Sequence, residues 1–130
     1  QGIAVAKKIT GPYIPNRRPF LRKNKDTQNF KSATRVLNTP KGFLGLQTFF
    51  RTHPLSHLSF SALHLSFSED GLKWKTVKKP IITPGLAWKK THVYVGSQII
   101  NFNHKKRIYY NARDGHGLFG RETIGLATAK

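Results

Sequence analysis

The chain has 130 residues, enough for one domain with a real core and too few for several. It contains no cysteine, which excludes disulfides, thiolate chemistry and a cysteine-based zinc site, and no apolar run approaches the ~20 residues that cross a bilayer as a helix. Twenty-three lysines and arginines face five acids (Asp26, Glu69, Asp70, Asp114 and Glu122), and the resulting net charge of +18 attracts polyanions such as nucleic acid, anionic glycans or lipid surfaces.

Fifteen aromatic residues, each able to bury a large area, offset a hydrophobic share of 38% and argue for a folded chain. The sequence opens on Gln1 with no visible signal peptide and reads as a processed or excised piece, which leaves its compartment open. In chain order, GIAVAKKITGPYIPNRRPFL (2–21) holds short apolar pairs around a Gly-Pro turn. The basic segment RRPFLRKNK (17–25) interleaves charge with apolar side chains, a pattern that suits phosphate or sulfate groups and equally a solvated loop. Strands follow at VLN (36–38), FLGLQTFF (43–50), ALHLSFS (62–68), THVYVGSQII (91–100), RIYYNA (107–112) and TIGLATA (123–129), each rich in aliphatic, β-branched or aromatic residues and several alternating with polar ones. Pro40, Gly71, Pro80, Pro84-Gly85, Asn103-His104 and the glycines from 115 to 120 punctuate them. No segment carries a capped helical period, so the chain reads as all-β.

The stretch SFSEDGLKWKTVKKPII (66–82) has echoes. Ala6, Ser66 and Ala127 align at lags of 60 and 61 residues, Gly11 falls on Gly71, and Tyr13 lies one position off Trp74. Pro19, Phe20 and Leu21 fall on Pro80, Ile81 and Ile82, and RVLNTPKGFLGLQTFFR (35–51) matches SQIINFNHKKRIYYNAR (97–113) in layout. The reading is a single domain over 1–130 with repeats at about 6–65 and 66–126, and such a period with three or four strands per unit points to propeller blades. Within the turn, Asp70 is expected to accept backbone N–H groups, Gly71 to supply a positive φ, and Trp74 to fold back over the turn.

The order of Ser68, Asp70, Gly71, Leu72 and Trp74, then Pro80-Ile81-Ile82, Tyr109-Tyr110, Arg113-Asp114-Gly115 and Ile124-Gly125-Leu126-Ala127 resembles blades of the five-bladed β-propeller glycosidases, glycoside hydrolase families 43 and 32 and their relatives. The likeness is good from about residue 60 to 130 and weaker before it. The resemblance implies propeller-type blades of antiparallel strands, about two of the five, with open edges that a homo-oligomer would close. It also implies inner strands at 32–38 and 91–100, which would point Arg35, His92, Tyr94 and Gln98 into an axial pocket. Trp88, just before the second inner strand, would stack on a sugar or pack, and Arg113 and Asp114 would follow the second strand as a loop pair.

Glycoside hydrolysis needs two carboxylates flanking the scissile bond, and neither inner strand holds an acid, so catalytic residues stay unassigned. The expected function is carbohydrate binding, with an anionic sugar fitting the charge, and no cofactor or metal is implied. A second reading keeps the blades as scaffold for a nucleic-acid-binding protein or an RNA-cleaving toxin. Its groups would be His104, Lys105, Lys106, Arg113, Asp114, His116, Arg121 and Glu122, which mix general acid–base and phosphate-binding side chains, although 104–107 also reads as a plain hairpin turn. His53 and His57, four residues apart around Pro54, make a poor metal pair.

Overall fold

A computed structural model describes residues 4–15, 30–52, 55–56, 58–85, 89, 91–116 and 120–129, without the side chains of 5 and 30–33. Among these residues there is no helix, every strand pairing is antiparallel, and no helical segment is long and apolar enough to cross a membrane. Trp88, Asp26, His53, His57 and the segment 17–25 lie outside the described residues.

A short hairpin comes first, β1 (Ala4–Val5) with β2 (Ile14–Pro15). The first large sheet is a meander in the order β3 (Phe30–Thr39), β4 (Gly42–Thr52), β5 (Ser59–Ser68) and β6 (Lys75–Thr76). The second is built on β9 (Lys105–Arg113), which pairs with β10 (Glu122–Ala129) on one edge. On its other edge β9 pairs with β7 (His92–Val95) and then β8 (Ile100–Phe102).

The expected single strand over 91–100 is thus two strands. Ser97 breaks it: its N–H donates to Tyr109 O at 3.0 Å, and its hydroxyl accepts the Tyr109 N–H at 3.1 Å in place of a strand carbonyl. Phe102 and Lys105 then close a two-residue hairpin in which Asn103 (φ 47°) and His104 (φ 59°) both take the left-handed region that such a turn requires. His104 is exposed there and acts as a turn residue.

Register explains the core. Leu46 faces Leu65, and Thr48 faces Leu63, so alternation turns one face of the first sheet inward. Leu46, Leu63 and Ile82 are buried with Val93, Val95, Ile99, Tyr110 and Ala112 of the second sheet. The Asp70 turn behaves as its residues dictate. Its carboxylate accepts the Leu72 and Lys73 N–H groups, both at 2.8 Å, and the Ser68 hydroxyl at 3.1 Å. The Lys73 N–H, then the Leu72 N–H, hold this carboxyl below its usual value. Gly71 has φ 72°, and Trp74 Nε1 returns to Gly71 O at 2.9 Å. The indole lies on Gly45 of its own sheet, where an added Cβ would meet the ring at 2.7 Å.

A bulkier residue at 45 therefore displaces Trp74. Gly45→Val is expected to cost about 1–3 kcal/mol, as overpacking does, and to lower the urea midpoint. Trp74 emission would shift to the red as the ring leaves its seat, whereas an unchanged midpoint and spectrum would contradict this packing.

Candidate functional site

The chemistry of the described residues gathers where β7 crosses the first sheet. β7 is an edge strand of its own sheet, and side chains of the other sheet satisfy three of its outer backbone groups. Ser61 Oγ donates to Val93 O at 2.9 Å and accepts the Val93 N–H at 3.0 Å, while Thr48 Oγ1 accepts the Val95 N–H at 3.1 Å. Thr91 extends the contact, accepting the Ser61 N–H at 3.2 Å through its carbonyl.

This seating brings five rings together. The His92 and Tyr94 rings, two residues apart on one face of β7, lie parallel within 1° at 5.5 Å. Phe50 tilts against them at 6.1 Å and 5.7 Å. His116 stands edge-on to His92 at 5.5 Å and to Phe60 at 5.2 Å. Both nitrogens of His92 are engaged, Nε2 with Ser59 Oγ at 3.1 Å and Nδ1 with Thr91 Oγ1 at 2.9 Å.

Cross-strand pairing places His92, Arg113 and Glu122 in one row across β7, β9 and β10. Burial, followed by the charges of His116 and Arg113, holds the His92 imidazole below its ordinary value of 6.5. Burial raises the Tyr94 phenol, with Glu122 adding to the rise and Arg113 opposing it. Asp114 is spent on its loop: its N–H donates to Arg121 O at 3.2 Å, and its carboxylate accepts the Arg121 N–H at 2.7 Å.

Of the residues expected at the site, His92 and Tyr94 meet directly, and Arg113 acts on both. Arg35 shares a face with Leu46 on β3, which also approaches β7, but no described hydrogen bond or ring contact joins it to either ring. Gln98 is exposed in the break after β7, its carbonyl taking the Ser97 hydroxyl at 2.8 Å. Sequence reasoning misses Phe50, Ser59, Phe60 and Thr91, and it places His116 only in the nuclease-like set. The available signal was Thr48 and Ser61, two hydroxyls on the otherwise apolar inward face of β4 and β5.

The nuclease-like constellation is split. His104, Lys105 and Lys106 lie at one end of β9, and Arg113, Asp114, His116, Arg121 and Glu122 lie at the other, eight residue steps or about 26 Å away. No group of three potential ligands suited to a metal occurs among the described residues. A separate concavity of about 820 Å³ lies at the hairpin end of the first sheet, lined by Phe43, Phe67 and Trp74 with Lys41, Lys73 and Lys75. It belongs to the Asp70 turn.

The lowered His92 value fixes a pH dependence. The unfolded chain binds this proton more readily, so the stabilisation is complete above pH 6.5 and declines as the pH falls below it, levelling beneath the folded value. Urea midpoints measured from pH 7.5 to 5 should therefore fall less for His92→Gln than for the native chain. Parallel profiles would contradict this.

The structure is similar to a solved structure described as "Glycoside hydrolase" and to a second described as a BT0996 RGII complex. Each aligns with a TM-score of 0.68 at 15% identity, over 99% of this chain and 35% of the other. At that identity the likeness shows a glycosidase-like fold and nothing finer, and the chain spans about a third of the length of the structures it matches. No family model and no curated protein matches the sequence.

Proposed function

We propose that this chain forms two blades of a five-bladed propeller of the glycosidase type and binds carbohydrate, without supplying the carboxylate pair for its hydrolysis. The observation that carries the reading is the half-buried Tyr94 ring, backed by the parallel and buried His92 and set beside the Arg113 cation. Sugar faces stack on such rings, and a carboxylate or sulfate on the sugar would meet the positive field of the chain.

The blade reading is supported by pairs that recur at one lag. Arg51 faces Phe60 and Leu46 faces Leu65 in the first sheet, and 62 residues on Arg113 faces Glu122 and Ile108 faces Ala127 in the second. This lag lies close to that of the sequence echoes and supports the repeats at about 6–65 and 66–126. Gly11 (φ 81°) and Gly71 (φ 72°) also share the left-handed region in the two corresponding turns.

Binding without cleavage follows from the acids. At the cluster only Glu122 sits in the ring-bearing row, opposite Arg113, and Asp114 is held by its loop. Carboxylates for hydrolysis would have to come from the other blades. Completion of the ring by further copies belongs to the same proposal. Leu126 faces Tyr109 on β9 and β10, and with Ile124 they expose an apolar surface at 50%, 40% and 76% for a neighbouring blade.

Titration calorimetry with oligogalacturonate and with its neutral counterpart tests the function. The acidic oligomer should bind more tightly, and Tyr94→Ala should weaken it about 10-fold, the size of a lost aromatic contact. Equal binding by Tyr94→Ala would remove the site. A preference for single-stranded RNA untouched by that substitution would return the nucleic-acid reading.

A further inference from the structure

The hydrogen bonds around His92 fix its tautomer. Thr91 Oγ1 carries one hydrogen and faces two carbonyl oxygens, Arg113 O at 3.1 Å and Gly115 O at 3.0 Å, which can only accept. Two carbonyl oxygens this close to Thr91 Oγ1 call for its hydrogen, Gly115 O above all because Arg113 O already accepts the Thr91 N–H, and the contact at 2.9 Å is then assigned as His92 Nδ1–H donating to Thr91. Nε2 is left with its lone pair, and the group in front of it is the Ser59 hydroxyl, 3.1 Å away. A serine, a neutral imidazole with its free nitrogen toward that serine, and a third group that orients the imidazole make the signature of an activated nucleophile.

We infer that Ser59 and His92 form a nucleophile–base pair that hydrolyses small acyl esters, such as an acetyl group on a carbohydrate hydroxyl. Ser59 is half-buried at the start of β5, beside the exposed ring of Phe60. His92 is buried, which keeps bulk water from competing for Nε2. The positions differ in origin: Ser59 comes from the first sheet and His92 from the second, and the Ser61 and Thr48 bridges to β7 hold them in register.

The step balances without a co-reactant other than water. Ser59 Oγ bonds to the ester carbonyl carbon as its proton passes to His92 Nε2. The bond to the alcohol oxygen breaks, and that oxygen leaves with the proton from Nε2. Water then attacks the acyl-serine and gives a proton to Nε2. The Ser59 oxygen departs and takes it back, releasing the carboxylic acid. Arg113, opposite His92 on β9, is the cation that would offset the negative charge developing on the carbonyl oxygen. Thr91 is a positioning residue.

The sugar as carrier of the ester rests on the carbohydrate reading, whereas the Ser59–His92 chemistry does not. The titratable and charged groups facing His92 are Arg113, His116 and Tyr94, with Glu122 acting on Tyr94, and the hydrogen-bond partner at Nε2 is Ser59 Oγ.

The test uses the whole chain, a fluorophosphonate probe located by peptide mass spectrometry, and turnover of p-nitrophenyl acetate. Ser59 should be the labelled residue. Ser59→Ala should abolish labelling and turnover, and His92→Gln should lower both by ~100-fold or more, the scale of a lost general base. Thr91→Val should slow labelling and move its pH profile, and Thr91→Ser should restore both. Circular dichroism and the urea midpoint establish that each variant is folded. The native chain needs no variant: absence of label on Ser59 overturns the proposal, as does turnover that survives Ser59→Ala. If Ser59→Ala still binds oligogalacturonate, the carbohydrate reading stands apart from the loss of hydrolysis. If ester turnover at Ser59 persists while no sugar binds, the carbohydrate reading falls and the Ser59–His92 chemistry remains.

Discussion

The hydroxyl of Ser61 is bound at both ends to one residue, giving its hydrogen to Val93 O and receiving the Val93 N–H. With Thr48 at Val95 N–H it converts the open edge of β7 into a fixed seat on the neighbouring sheet. An unpaired strand edge in a partly buried place costs free energy for every unsatisfied group, and a backbone partner would have merged the two sheets into one. Side-chain hydroxyls satisfy the edge while keeping the sheets distinct. That constraint sets the position of His92 and Tyr94, and through them of Phe50, Ser59, Phe60 and His116.

Two ends of the first sheet consequently do different work. At the hairpin end the Asp70 carboxylate, the Gly71 backbone and the Trp74 indole are consumed by one another, so the carboxylate nearest that indole is committed to architecture. At the opposite end the groups are shared between sheets, and burial, followed by the charges of His116 and Arg113, holds the imidazole of His92 below its ordinary value. Chemistry therefore concentrates at the junction, where side chains from distant parts of the sequence are immobilised without disturbing the hairpin turns.

Local physics made part of this legible in the sequence. Alternation in ALHLSFS and the β-branched and aromatic residues of RIYYNA marked β5 and β9, and the residue types of Ser68-Glu69-Asp70-Gly71 carried their own turn. The inner-strand expectation that the glycosidase resemblance implied picked out His92 and Tyr94. It extended too far along THVYVGSQII, since nothing in the apolar pattern announces that Ser97 will use its hydroxyl against Tyr109. Ser59 and His92 are 33 residues apart, and Thr48 and Val95 are 47 apart, so their contacts are products of tertiary packing that no local window contains. Gln98 illustrates the converse: one residue beyond the break at Ser97, it loses the alternation that would have aimed it at the rings.

The proposed ligand seat is the β5–β7 junction, while the Asp70 turn is structural. Hydrogen–deuterium exchange of the whole chain, with and without saturating oligogalacturonate, addresses it directly. The account predicts added protection in peptides covering Ser59–Ser61 and Thr91–Val95, with those covering Ser68–Trp74 unchanged. Protection confined to Ser68–Trp74, or none anywhere, would contradict it.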